Sequence, residues 1–563
     1  MDKVKLAEAT ARVTAPGQPF ETVIATVDGV EQRVFTNAPR NLRALYREGL
    51  EHGDASFIVY QHERFSFREA WQQAAVVARA LERHGIGKGD RVAIAMRNYP
   101  EWMFGYMAVT AIGAVAVGMN AWWSGEEMAY GLGDSGAVLL LADGERVARI
   151  EAQRAALGID VVGVRCGQDL PDGVLSWAGF IEGIDPQQVT MPEPDVAPAD
   201  DAMLLYTSGS TANPKGVLST HLSILHAVLG WECAGVIAAE VVPPPPLGMQ
   251  PALILTVPLF HVTGLNVHFL SSFRQGRKVV AQYKWDPAEA LDIIERERIT
   301  LFHGVPSMGW ELVNLPDYDR RDVSSLRAIG GGGAPLPPEH ARRLSSKVPG
   351  GTAGNGYGMT ETNGLATSLA GPALLERPGS CGRPIPPMAS LRITDAEGRE
   401  LPRGATGEIW IKGAMNFRGY WNQPEATRET LVDGWVRTGD VGHMDTEDYL
   451  FITDRAKDMV LRGGENIGCP EVEAVIHAHP AVYECAVFGV PDERLGETVA
   501  AVVMVRPGAR LSETELTAYV GEHLARFKVP EHVWLVNEQL PRIASGKIYK
   551  RGLREEAVAR LTS

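Results

Sequence analysis

The chain has 563 residues, several times the roughly 100–200 of a single domain, so two or more domains with large buried cores are expected. Its 54 basic and 69 acidic side chains give a formal charge of −15, and no basic run is long enough to track a nucleic-acid backbone or an anionic membrane, so nucleic acid is not an expected partner. The five cysteines, Cys166, Cys233, Cys381, Cys469 and Cys485, form no CxxC pair and no zinc-like spacing, and their odd number argues against a disulfide framework.

The N-terminal MDKVKLAEATARV carries charges throughout and lacks the apolar centre of a signal peptide. With the cysteine usage this sets a cytoplasmic expectation. RVAIAM (Arg91–Met96) reads as a first buried strand. The following stretch from Trp102 to Gly125 has no charged residue, long enough to span a bilayer at about 20 residues. Gly105, Gly113 and Gly118 interrupt it, Asn120 lies near its end, and AVAV (Ala114–Val117) has the pattern of a short strand. A buried helix followed by a strand is therefore predicted, with no transmembrane segment.

Further strand-like runs are AVLLLA (Ala137–Ala142), LILTVPLF (Leu253–Phe260) and LFHGVP (Leu301–Pro306), and they alternate with helix-like segments such as Asp286–Ile299. That alternation predicts an α/β fold with largely parallel sheets, whose ligands gather outside the strands' carboxyl ends. VVPPPPLG (Val241–Gly248) reads as a stiff surface loop. Over the last hundred or so residues a separate unit is predicted. CPEVEAVIHAHP gives a helix with Pro470 in its first turn and Val472, Val475 and Ile476 on one face, YECAVFGV a strand, and SETELTAYVGEHL a second helix with Ser512 and Glu515 at capping-box spacing.

The densest chemistry lies in LLYTSGSTANPKG (Leu204–Gly216). AMLLY before it reads as a strand and GVLSTHLSILHAVL after it as a helix, a junction where backbone N–H groups and hydroxyls converge on an anion. GxxxxGK[ST] is absent, so this is no Walker loop, and taken alone the segment also reads as a solvated linker. RAIGGGGAPLPP, GNGYGMTET, GEIWIKG, GWVRTGDVG, TDRAKDMVLRGGENIGCPEVE and PRIASGKIYKR follow in order. Together these stretches resemble the ordered core motifs of the ANL adenylate-forming superfamily, and within it the acyl-CoA synthetases, from about Asn41 to Arg554.

The resemblance implies a large N-terminal domain of layered mixed and parallel sheets with helices (1–455, AMP-binding) and a small mobile C-terminal α+β lid (456–563). Thr207, Ser208, Ser210, Thr211 and Lys215 would hold the ATP phosphates, with Ala212 where the family commonly has glycine. Gly333, Ala334 and Pro335 would border the nucleotide, Tyr357 would lie against adenine, Thr360 on the α-phosphate, Glu361 on Mg²⁺, and Asp440 and Arg455 on the ribose. Lys457 occupies the hinge position, Lys547 that of the catalytic lysine, His261 a place beside the acyl group, and the loop from Gly463 to Ile467, with Gly464 and Glu465, a place on the CoA tunnel. Gly468 and Cys469 depart from the frequent form of that stretch.

The implied reaction joins a carboxylic acid to CoA through acyl-AMP, with ATP, Mg²⁺ and CoA required and medium- or long-chain fatty acids favoured. Lys215, Glu361 and Lys547 would act by positioning and charge stabilisation. Aryl- or alicyclic-acid CoA ligation, transfer to a carrier protein and non-catalytic nucleotide binding are the alternatives. An amino-acid-activating domain would need an acid where PLFHVTGLN offers His261. Homodimer formation and peripheral membrane association stay open.

Overall fold

The computed structural model describes residues 3–167, 170–207, 214–348, 350–455, 458–462, 465–544 and 546–562. Among these residues the strands form four sheets. One has a parallel centre running from Asp201–Thr207 through Val115–Gly118, Arg91–Ala95, Leu139–Asp143 and Asp160–Val164 to Val174–Ser176. The strand Leu139–Asp143 is buried at every position, which is why it reads as an unbroken apolar run.

The uncharged stretch is a helix, Pro100–Ala111, followed by the strand Val115–Gly118, nearly all of it buried, as its glycines and AVAV predict. Tyr99 caps that helix without a side-chain bond, and Pro100 starts it because its missing N–H would have had no partner there. Among the described residues one helix, His221–Val241, is long and apolar enough to cross a membrane by length and composition, and more than half of its most apolar part is buried.

The largest sheet sets Ser56–Tyr60, Lys278–Ala281, Ala252–Leu255, Leu301–Gly304, Ala328–Gly332 and Thr352–Tyr357 side by side in parallel. It continues in antiparallel strands that bring Leu450–Arg455 and Trp435–Met444 into line. Asn98 ties the two large sheets together. Its amide donates to the carbonyls of Leu255, Val257 and Gln282 at 3.3–3.4 Å, and its Oδ1 accepts from Leu259 N at 2.9 Å. This fixes the segment before His261 at the carboxyl ends of both parallel sets, where ligands of such sheets bind.

The C-terminal sheet comprises Val460–Arg462, Glu465–Ile467, Val482–Asp492, Gly496–Val505 and His532–Val536. The helix Cys469–Ala478 has Pro470 in its first turn and buries Val472 and Ile476. The helix Glu513–His523 is capped by the Ser512 side chain, which accepts from Glu515 N at 3.2 Å, and buries Leu516 and Val520.

One expectation is corrected. The segment after LLYTSGSTANPKG is a strand, Lys215–Thr220, antiparallel to Asp201–Thr207 with Thr207 opposite Lys215. The loop thus closes a hairpin, and the helix begins only at His221, after the Thr220 cap. GVLST is short, apolar and partly β-branched, and runs of that kind do not separate strand from helix by period.

Candidate active site

The carboxyl ends of the parallel strands and the edge of the antiparallel set converge on one cluster. Asp440 lies opposite Arg455 in the ladder between Trp435–Met444 and Leu450–Arg455. Its Oδ1 accepts from Arg455 Nε at 3.2 Å and its Oδ2 from the Tyr357 hydroxyl at 2.5 Å. Burial, and then the Asp440 charge, push the Tyr357 phenol well above its ordinary range, so it stays protonated as a donor. The Asp440 carboxylate is thereby held buried and oriented, with acceptor capacity left for further donors.

Glu361 sits in the short turn Thr360–Thr362, and Phe417 N donates to the Glu361 backbone carbonyl at 2.8 Å. Its carboxylate is buried and accepts from the Tyr420 hydroxyl at 2.7 Å. Burial raises the Glu361 carboxyl above its ordinary range, opposed by that hydrogen bond. Lys215 Nζ lies 4.8 Å from the centroid of the same Tyr420 ring. Tyr420 therefore touches both the Lys215 ammonium and the Glu361 carboxylate, a contact no sequence motif signalled.

Lys547 enters this cluster from the C-terminal domain. Ile543 N donates to Lys547 O and Gly546 N to Ile543 O, each at 2.8 Å, which folds a tight turn behind the side chain. A Cβ added at Gly333 would lie 3.3 Å from Lys547 Cε and 3.4 Å from Nζ, so the lysine end packs against this backbone, and the φ of +77° at Gly333 favours glycine. Burial, then Arg455, lower the Lys547 ammonium to about 8, with Asp440 opposing. His261 is held neutral, lowered to about 3 by burial and by Lys547, and among the described residues its Nε2 is buried without a hydrogen-bond partner. An orphaned polar atom beside the Lys547 ammonium marks a place for a ligand group.

The turn is docked by side chains that sequence reading missed. Ser307 Oγ donates to Gly546 O at 3.3 Å. Arg542 reaches both Glu311 Oε1 at 2.9 Å and Glu484 Oε2 at 2.7 Å, joining the two parts of the chain. Ser307 and Gly546 are 239 residues apart and Arg542 and Glu311 231, and no spacing rule connects them.

Thr207, Lys215, Gly333, Ala334, Pro335, Tyr357, Thr360, Glu361, Asp440, Arg455, Lys547 and His261 all belong to described elements around these contacts or to the turns joining them. Ser208, Ser210, Thr211, Lys457, Gly463 and Gly464 lie outside the described residues. Glu465 is exposed on the strand Glu465–Ile467, and among the described residues no hydrogen bond or ion pair joins it to the cluster. No group of three or more His, Cys, Asp or Glu side chains able to hold a metal occurs among the described residues. Mg²⁺ needs only one or two carboxylates when phosphate and water supply the other oxygens, and the buried Glu361 carboxylate fits that demand.

Residues 45–421 match the AMP-binding enzyme family and residues 471–547 the C-terminal domain of AMP-binding enzymes. A feruloyl-CoA synthase of Amycolatopsis sp. is 35% identical over 489 residues, 87% of this chain and 93% of the relative. A long-chain-fatty-acid–CoA ligase of Bacillus subtilis (strain 168) is 32% identical over 531 residues, covering 89% and 92%. The crystal structure of the anthranilate CoA ligase AuaEII with anthranoyl-AMP superposes with a TM-score of 0.84 at 26% identity, covering 93% of this chain and 98% of that one. The chain thus belongs to the AMP-binding enzyme family, within the ANL adenylate-forming superfamily, as an AMP-forming acid–thiol ligase.

Proposed function

We propose that the protein is an ATP-dependent acyl-CoA synthetase that converts a hydrophobic carboxylic acid to its acyl-AMP and then to its CoA thioester, releasing pyrophosphate and AMP. The observation that carries this reading is Lys547 seated against Gly333, beside His261 and the Asp440–Arg455–Tyr357 cluster. In that position its ammonium faces the place where an acid's carboxylate would meet the α-phosphorus. Attack there builds negative charge that a preorganised cation stabilises without reorganising.

In this reading Asp440 accepts from the ribose hydroxyls beside Arg455, and Tyr357 lies against the base. Thr207, Lys215 and the hydroxyls of Ser208, Ser210 and Thr211 hold the phosphates, and Thr360 contacts the α-phosphate. Glu361 would hold Mg²⁺, whose charge would offset that of the polyphosphate. Lys457 serves as the hinge for the second half-reaction, and Gly463, Gly464 and Glu465 line the path of CoA. Relatives named for a fatty acid and for aryl acids support a hydrophobic acid as the substrate class.

The test is a panel of fatty, aryl and alicyclic acids and free amino acids, scored for pyrophosphate with and without CoA. Acid-dependent pyrophosphate and AMP, with thioester only when CoA is present and no turnover of amino acids, is the expected result. Absence of acid-dependent AMP across the panel would sink the reading.

A further inference from the structure

Beyond the nucleotide cluster the structure holds one polar device without an assigned role. In the largest sheet His303, Gly330 and Gly354 are partners across three neighbouring parallel strands, and so share one face. Two residues further along, Gly332 and Gly356 are partners on that same face. Phe302, Ile329 and Ala353 point the other way, into a hydrophobic core.

Among the described residues no side chain lies within 4 Å of a Cβ position built on Gly332, and the atoms nearest to that of Gly330 are the backbone of Gly354. The strand Ala328–Gly332 therefore presents a bare backbone strip that leads up to Gly333 and Lys547. Trp231 bounds it on one side, its ring tip 3.8 Å from the Cβ position of Gly356. On the other side, one strand over from the strip, stands His303. Two strand spacings of about 4.8 Å separate these walls, room for one flat ring on the strip.

His303 is half-buried, and its Nδ1 is 2.8 Å from Nε2 of His268, which is itself only 1% exposed. His268 Nδ1 is buried with no partner, and among the described residues none hydrogen-bonds His303 Nε2. One proton is shared between the facing nitrogens, so the tautomer of one ring sets that of the other. An unpaired buried N–H is rarer than an unpaired acceptor. That preference leaves His268 Nδ1 without a proton, makes His268 Nε2–H the donor to His303, and leaves His303 Nε2–H as a donor on the face of the sheet that carries the strip. Burial keeps both rings neutral.

We propose that His303, positioned by His268, reads a hydrogen-bond-accepting oxygen on the substrate, and that the acid activated is a ring-bearing carboxylic acid with a hydroxyl or carbonyl oxygen at the end remote from its carboxylate. The distance fits. From Gly333, where Lys547 would meet the carboxylate, to the Gly330 level is three residues, about 10 Å at 3.3 Å each, the reach of a ring with a short link. A bare alkyl chain would leave the His303 donor without a partner, a cost that sites built for hydrogen bonding turn into discrimination. This rests on the acyl-CoA synthetase reading above and narrows its substrate from the fatty chain that the motifs favour.

The experiment compares matched acids with the purified full-length enzyme: 3-phenylpropanoate against 3-(4-hydroxyphenyl)propanoate, cyclohexanecarboxylate against 4-oxocyclohexanecarboxylate, and octanoate. Acid-dependent AMP and thioester are both measured. The oxygenated member of at least one pair is expected to have a kcat/KM higher by on the order of tenfold or more. In His303→Leu that ratio should fall to within about threefold of unity. His268→Leu should lower it as well, and His268→Gln, which can still donate to His303 Nδ1, should retain more of it than His268→Leu. A wild-type ratio at or below unity in both pairs overturns the inference even if a variant does not fold, and so does a ratio unchanged in folded His303→Leu. AMP formation without oxygen preference defeats only this inference, whereas no AMP from any acid, octanoate included, defeats the synthetase reading itself.

Discussion

Asp440 is the residue on which most of the proposed nucleotide site turns. Tyr357 and Arg455 both donate to it, at 2.5 and 3.2 Å, so its carboxylate is fixed before any ligand arrives. Hydrogen bonds to a charged group contribute about 1.5–3 kcal/mol each, so Asp440→Ala should raise the KM for ATP by about one to two orders of magnitude for each ribose bond lost. Steady-state kinetics on the folded variant measure this, and an unchanged KM would remove Asp440 from the ribose site. Lys547 offers a second residue-scale test. Its ammonium, lowered by burial to about 8, binds fewer protons when docked than when free in solution. Without nucleotide, docking should therefore strengthen as pH rises from about 8 toward the ordinary lysine range of about 10.4. Competitive acetylation read by mass spectrometry should give a Lys547 midpoint near 8, and ATP, whose phosphates favour the ammonium, should move it upward. A midpoint already at the ordinary lysine value without ATP would contradict the buried placement.

At the scale of elements, the turn from Ile543 to Lys547 does the positioning. Gly546 has φ +85°, and a Cβ there would lie 2.9 Å from Met308 Cε and 3.1 Å from Val305 Cγ2. The left-handed conformation costs a residue with a Cβ about 1–2 kcal/mol, so Gly546→Ala should lower the docked population and the rate of acyl-AMP formation by roughly five- to thirtyfold. Rapid-quench measurement of acyl-AMP tests this, and an unaltered rate would show that the turn does not set the docked state. The motifs that flagged this site were legible because each packs several polar or glycine residues into a dozen positions, as in GYGMTET and PRIASGK. The hairpin after Thr207 was not legible, since GVLST has no period long enough to separate strand from helix. Tyr420 escaped notice as one of three aromatics in FRGYW, although its hydroxyl meets Glu361 and its ring meets Lys215. The His268–His303 contact arises only from sheet register, which brings together residues that no local pattern relates.

For the whole molecule, the question is how two bodies of one chain share one reaction. The alternation of apolar runs and helical periods made the α/β architecture readable, because parallel strands covered on both faces need continuous apolar sequence. The contact between the C-terminal domain and the rest was unreadable. It is made by Arg542 between Glu311 and Glu484, by Ser307 on Gly546, and by Trp310 stacked on His340 with ring centroids 4.0 Å apart, His340 meeting His477 at 4.9 Å. With this contact formed, Lys547 lies in the nucleotide cluster, the arrangement that suits attack of a carboxylate on ATP. We propose that the domain turns about Lys457 afterwards, withdrawing Lys547 and bringing the segment from Gly463 to Ile467 to the thiol. The most direct measurement is single-turnover analysis of Lys547→Ala, taking each half-reaction separately. Acyl-AMP formation should fall by a factor on the order of 10²–10³ or more, as when one preorganised donor is removed. Thioester formation from supplied acyl-AMP and CoA should fall by less than about tenfold, because the lysine is absent from that transition state. Equal collapse of both steps, or loss confined to the second, would contradict the account.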